Sequence, residues 1–457
     1  MKSICVLAPF VLALSLVCEG QTELSSALVP QPALSLPKAS PPLVEKGSAA
    51  VPLSVDEAVA EALQGNPEIR AAVRRLSLAR LKTTTARSLD DPMLMVRDWD
   101  TPLRKPWDLN QAQAMVSLQQ SFLSKQKRDL RGKLAGDDVE VASSELESLR
   151  QEVSAEVRKA CADLMRNADE MKLNGRQASL LKEALAAALA QYTTGKVSQA
   201  DVLRAQMALT RLNENLIELE EERDNARAQL NALRGSSPDE AIEIAGSYTS
   251  LAALPPIEEL ERTAIENRPE LAALHKQIDK SRDQGQLTRL AMKPDFTVAL
   301  GYMLMPTGSA SRNAYMAELT MNLPSLNRAR HDGEARQADA ATDVSQAELE
   351  ARTSAVFLEI RQAQIDLLAA QKRIRLYRDT LLPQADAAFK ASAAAYQNNR
   401  TEFANLIDSQ NLLLDIQSAF YKASAASDAG IAGLERAIGA PLAGVSEANA
   451  PAPGRTK

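Results

Sequence analysis

A chain of 457 residues, 45% hydrophobic and 25% charged, is long enough for more than one folded unit. Its net charge of −6 and pI near 5.4 exclude the basic face of a general nucleic-acid binder, so no nucleic acid is expected as a partner. Aromatic residues make up only 4% while alanine is abundant, which favours long helices with small contact residues. The two histidines, His275 and His331, are too few and too scattered for a histidine metal site, and their scarcity disfavours a metal-binding duct.

Lys2, the apolar run "ICVLAPFVLALSLV" and the small residues of "CEG" form a signal-peptide pattern over 1–20, too short for a spanning helix. Cleavage before Gln21 leaves Cys161 as the single thiol. It sits between Ala160 and Ala162 in a helical pattern and reads as a small packing residue, with no intramolecular disulfide framework. Acylation of Cys18 is the alternative, against which Val17 stands where such sites carry a small residue. The Pro-, Ser- and Ala-rich stretch 21–52 reads as an extension, and 443–457 as a flexible tail.

The remainder is written twice, as 53–250 and 251–442. "GNPEIRAA" from Gly65 matches "NRPELAAL" from Asn267, and "DPMLMV" from Asp91 matches "KPDFTV" from Lys293. The offset is 202 at Pro67/Pro269 and Pro92/Pro294, and 204 at Tyr192/Tyr396, Gln206/Gln410 and Gly235/Gly439. Shared helical composition does not align prolines and glycines; a duplication does.

Each repeat opens with a helix, over about 55–89 and 257–291, in which Val59, Leu63, Ile69 and Val73 recur at helical spacing. Proline ends it and alternation begins. Leu94 and Val96 mark the first strand, and Phe296, Val298, Leu300, Tyr302 and Leu304 alternate in "DFTVALGYML". Partner strands follow from Ala112 and Ala314; in the latter Tyr315, Ala317, Leu319 and Met321 oppose Met316, Glu318, Thr320 and Asn322. Each pair reads as a hairpin. A helical segment of some 65 residues comes next (about 125–190 and 328–395), roughly 100 Å long, with a kink or joint expected at Pro383. A turn and a return helix (about 198–233 and 402–438) complete the repeat, each stopped by glycine.

Four amphipathic strands of about ten residues match the span of an outer membrane. They cannot close a barrel alone, whereas three protomers supply twelve. The phrases "LSVDEAVAEALQGNPEIRAA", "KPDFTVALGY" and "NLPSLNRARHDGEARQA", with two return turns of the form Y-x-x-G/N … L-x-x-Q, resemble the TolC-type outer-membrane efflux proteins from about Leu53 to Leu442. Asn399 in place of the usual turn glycine, and the absence of a Phe-Asp pair in "NLPSLNRARHD", are departures. The resemblance implies a mainly α chain with a membrane β-barrel: a homotrimer in outer-membrane lipid, forming a twelve-stranded barrel and a periplasmic tunnel of long helical hairpins. It further implies a periplasmic adaptor, an inner-membrane pump, and a passive duct with no catalytic residues, no metal and no cofactor. The other class weighed is a soluble exported coiled-coil scaffold or periplasmic adaptor, which leaves the paired alternating segments unexplained.

By the same resemblance the two turns are hairpin tips. Asp408, with Asn405, is placed as a periplasmic gate lined by three carboxylates, and Asp201 and Arg204 are the first-repeat candidates. The competing reading of Asp201 is a first-turn acid favoured by the helix dipole. Gly195, Lys196, Val197, Asn399, Arg400 and Thr401 are adaptor-contact candidates or simply turn formers. Glu318, Thr320 and Asn322, with Gln113, Ser117 and Gln119, are expected to face the barrel lumen. Trp99, Trp107 and Tyr315 belong either to an interfacial aromatic girdle or to loop packing. His331 reads as part of a solvated joint, not as a ligand.

Overall fold

The computed structural model describes residues 52–99, 113–195, 197–251, 253–306, 308–309, 313–398, 400–442 and 445–447. They fall into two compact units. One is built from Leu89–Ser124 and Lys293–Leu326; the other from Ala49–Ser88, Lys125–Met292 and Asn327–Lys457.

In chain order the first repeat comprises β1 (Pro52–Ser54), α1 (Val55–Gly65), α2 (Pro67–Arg87), β2 (Met93–Trp99), β3 (Gln113–Phe122), α3 (Lys125–Thr193), α4 (Gln199–Arg234), β4 (Glu243–Ala245) and β5 (Thr249–Leu251). The second comprises α5 (Ile257–Asn267), α6 (Pro269–Leu290), β6 (Phe296–Leu304), β7 (Asn313–Met321), α7 (Arg328–Leu376), α8 (Leu382–Gln397), α9 (Phe403–Ile438) and β8 (Val445–Glu447). α3 runs 69 residues without proline, roughly 100 Å. A π turn at Tyr377–Leu381 separates α7 from α8, with Pro383 in the first turn of α8, at the joint expected there.

The opening helix of each repeat is two helices. The break comes at Asn66 in one and Arg268 in the other, each followed by proline. Asn66 Oδ1 accepts from the Glu68 and Ile69 amides, and its Nδ2 donates to the Leu233 carbonyl at 2.9 Å. Arg268 occupies the matching position and donates through Nη1 to the Ala437 carbonyl, the counterpart of Leu233, at 3.4 Å. Both joints are therefore tied to the last turn of the return helix, by an amide in one repeat and a guanidinium in the other. Beside each joint the return helix ends in a left-handed glycine, Gly235 at φ 73° and Gly439 at φ 72°.

The helical unit buries parallel cores in its two halves. Ala58, Ala62, Ile69, Val153, Val157, Leu164 and Leu230 pack together in the first. Leu260, Ala264, Leu271, Val356, Ile360, Leu367 and Leu434 do so in the second. Cys161 lies fully buried in the first core, and burial pushes its thiol up to about 12, so it remains a neutral packing group. β1 pairs in parallel with β4, and β5 antiparallel with β8.

The other unit is one antiparallel sheet in the order β2-β3-β6-β7. Among the described residues β2 and β7 each have a neighbour on one side only. No described helix is long and apolar enough to cross a membrane.

Candidate functional site

Strand register assigns every side chain of the sheet to one of two faces, because directly paired residues share a face. One face carries Leu94, Val96, Val116, Leu118, Val298, Leu300 and Leu319, all exposed, Leu94 and Leu319 at 69%. Its ends are aromatic. Tyr302 lies across from Tyr315, which is 90% exposed, with ring centroids 5.9 Å apart in an edge-to-face arrangement; Phe122 lies across from Phe296 at the opposite end. Six steps along the strand separate the two rings of β6, about 20 Å. An exposed apolar band of that height between aromatic ends has the form of a lipid-facing barrel wall. Trp107 and the side chain of Trp99 lie outside the described residues.

The opposite face carries Glu318, which pairs across to Ala299 and through it to Gln119, and Thr320, which pairs to Thr297 and through it to Ser121. Thr320 donates to Glu318 at 3.0 Å, and the Asn322 side chain accepts from the Asp295 amide at 2.6 Å. Gln113 and Ser117 share this face. Gly301 belongs to it too, and a Cβ there would meet Ser117 Cβ at 2.8 Å, so the strands come close in mid-sheet.

In the helical unit the first tip is a tight turn. Gly195 is left-handed (φ 70°), and its amide donates to Tyr192 O at 3.0 Å. Ser198 then caps α4 by reciprocal bonds: its Oγ donates to Asp201 Oδ2 at 2.7 Å and accepts from the Asp201 amide at 3.2 Å. Arg204 reaches back to Asp201 at 3.4 Å. Asp201 thus makes both a cap and an ion pair at the start of α4.

At the second tip Arg400 is exposed, and its amide bonds Ala395 O at 2.8 Å. The Asn405 amide group donates to Thr401 Oγ1 at 2.9 Å. Phe403 and Ile407 turn inward to join Leu181, Ala205 and Leu212 in an apolar cluster, with Tyr396 against Phe403 at 5.5 Å. Burial, then the Asp201 charge, raises the Tyr396 phenol, which stays a neutral hydroxyl. That inward pair turns Asp408 outward, and among the described residues it has no hydrogen bond or ion pair. The 204-residue offset maps Asp201 to Asn405 and Arg204 to Asp408. The first tip therefore neutralises its acid internally, while the second leaves a bare carboxylate. Val197 is half-buried; Lys196 and Asn399 lie outside the described residues.

His331 is not solvated as expected. Its side chain is largely covered in the first turn of α7, with Nδ1 3.1 Å from Glu334, which also receives a bond from Arg330. One feature gave no signal in the sequence, because nothing in its own helix distinguishes it. Asp428 of α9 accepts from the Thr249 amide at 2.9 Å where β5 begins, and burial raises its carboxyl to about 7. This acid is neutral in the fold below that pH and ionises above it, whereas an exposed Asp ionises near 4. Its ionisation penalty is absent at acid pH and complete above about 7, so Asp428→Asn is expected to raise the melting temperature at pH 8 and leave it unchanged at pH 4. Equal shifts at both pH values would refute the burial effect. No group of three His, Cys, Asp or Glu among the described residues is arranged to hold a metal.

The chain matches the sequence profile of the family described as "Outer membrane efflux protein" over residues 58–236 and 260–440, one match per repeat. It is 26% identical over 367 residues to the cobalt-zinc-cadmium resistance protein CzcC of Cupriavidus metallidurans, covering 80% of this chain and 85% of that one. Its fold resembles the outer membrane protein VceC of Vibrio cholerae, with a TM-score of 0.69 and 18% identity over 85% of this chain and 96% of that one. It also resembles the open-state MtrE outer membrane channel of Neisseria gonorrhoeae, with a TM-score of 0.70 and 14% identity over 84% and 89%.

Proposed function

We propose that this chain, which belongs to the outer membrane efflux protein family, assembles as a ring of three around an export channel. It is an efflux channel of the outer membrane with a periplasmic helical part. The observation that carries the threefold reading is the two-faced sheet with two open edges. Joining β7 of one copy to β2 of the next pairs every edge, sets the Leu/Val/aromatic face against lipid and closes twelve strands into a barrel. The helical hairpins form the periplasmic tunnel and meet an adaptor at their tips, through Gly195, Val197, Arg400 and Thr401 together with Lys196 and Asn399. An inner-membrane pump supplies the energy, and the duct itself has no catalytic role. Likeness to a cobalt-zinc-cadmium resistance protein favours metal cations among the cargo classes.

Glu318, Thr320 and Asn322 line the lumen, and Asp408 with Asn405 lines the gate. Three unpaired carboxylates on one ring attract cations, whereas the Asp201–Arg204 pairs on the neighbouring hairpins contribute no net charge. Fractionation tests the assembly: recovery from the outer membrane as a heat-labile trimer is expected, and a soluble monomer obtained without detergent rules it out. In planar bilayers Asp408→Ala should raise conductance or weaken block by multivalent cations. An Asp408→Ala channel that matches wild type on both counts removes this residue from the gate.

A further inference from the structure

Five of the chain's 12 methionines lie on the face opposite the apolar band, Met93, Met95, Met115, Met303 and Met316, and Met305 follows β6 directly. Met115 and Met303 are direct cross-strand partners, which brings their Cβ atoms to about 5 Å. Met95 lies one diagonal step from Met115, and Met316, across from Gly301, one diagonal step from Met303. The sulfurs therefore step across all four strands. The apolar face, by contrast, has a single methionine, Met321, among leucine, valine and aromatic side chains.

Bulk packing does not account for this distribution. Strands favour β-branched and aromatic residues, as the apolar face shows, and a water-filled lumen calls for polar side chains. Methionine is the apolar side chain that also presents lone pairs. Gln113 shows that these are accessible: its Nε2 donates to Met303 Sδ at 3.5 Å and to Met305 Sδ at 3.2 Å, so two sulfurs converge on one positively polarised group. Met115, 3% exposed, holds the centre of the array in place. Thioethers are soft, neutral ligands that favour Cu(I) and similar d10 monovalent ions over Zn(II) or Co(II), which take imidazole, carboxylate or thiolate.

We propose that this methionine face binds soft monovalent cations through its thioethers and, on the channel reading above, passes them along the barrel wall. The site needs no histidine, so the scarcity of that residue does not count against it. Cation and ligand are exchanged without any change of oxidation state.

The test uses the purified full chain in detergent, titrated with Ag(I) in chloride-free buffer and followed by calorimetry. The comparison is a variant with Met95→Leu, Met115→Leu, Met303→Leu and Met305→Leu, swaps that conserve volume. Cys161 is common to both proteins and cancels. The variant is expected to bind Ag(I) at least about tenfold more weakly, and excess Zn(II) should not displace Ag(I) from the native chain. Equal binding by the two proteins, or displacement by Zn(II), overturns the proposal. If the variant does not fold, methyl-labelled methionine in the native chain decides: Ag(I) should shift the sheet methionine resonances and spare Met165, Met171 and Met207 in the helices. The reverse pattern overturns it. Both readouts are independent of fractionation, so failure of the channel reading and failure of this site are separable.

Discussion

Arg268→Ala is expected to destabilise the helical unit by about 3–5 kcal/mol. The side chain is 2% exposed. Its Nη2 lies 2.5 Å from Glu359 and 3.3 Å from Glu270, and Nη1 serves the Ala437 carbonyl. Arg352 completes the network, paired to Glu270 and, at 3.1 Å, to Glu359. Removing Arg268 leaves two half-buried carboxylates sharing one guanidinium and strands a buried carbonyl. The first loss outweighs the second, because leaving two half-buried carboxylates with one guanidinium between them costs more than a lost neutral hydrogen bond. Burial works to raise the Glu270 carboxyl, but the Arg352 bond and the charges of both arginines hold it below the usual carboxylate range. A depressed acid contributes stability above its unfolded pKa and loses it as pH falls through the folded value. The gap between wild type and variant in denaturant titrations should therefore narrow below about pH 4. A loss under about 1 kcal/mol at neutral pH, the range of a surface pair, would show that solvent already screens this network.

Gly235→Ala is expected to cost about 2–4 kcal/mol, and Gly439→Ala distinctly less. Both positions are left-handed, which charges any Cβ about 1–2 kcal/mol. They differ in what that Cβ would meet. At Gly235 it lands 2.3 Å from the Gly65 carbonyl oxygen; at Gly439 the nearest atom, the Asn267 oxygen, is 2.9 Å away. Backbone obstructs both, but only the first lies far inside contact distance. Gly65 reports the same crowding from the other side, with a Cβ placed 2.1 Å from Arg234 O, whereas its counterpart in the second repeat is Asn267. Urea midpoints of the two variants give the ranking, and equal losses would mean that the joint relaxes and only the backbone strain is felt.

Much of this architecture was legible in the chain. Matched prolines and glycines located the repeats, the long helices and both return turns, since those residues act on the backbone directly. Alternation located the strands. What escaped notice did so for physical reasons. The joints at Asn66 and Arg268 interrupt no hydrophobic period, and two chemically unlike residues do the same work there. β1, β4, β5 and β8 are three residues each, too short to show a period. Asp428 is unusual only through what packs on it from β5. The methionines were visible singly, but a shared face exists only once register is known, because a shift of one residue would scatter them.

The two tips differ in one further way that matters for whatever docks there. On the threefold assembly proposed above, the twice-written hairpins would present six ends of nearly one shape that alternate in charge, a self-neutralised Asp201–Arg204 pair followed by a bare Asp408. Such a rim would be hexagonal in outline and trigonal in electrostatics. A partner that reads shape alone finds six equivalent seats and can settle in either of two registers, 60° apart. One that reads the carboxylates finds three, and its angular position is set before any contact forms.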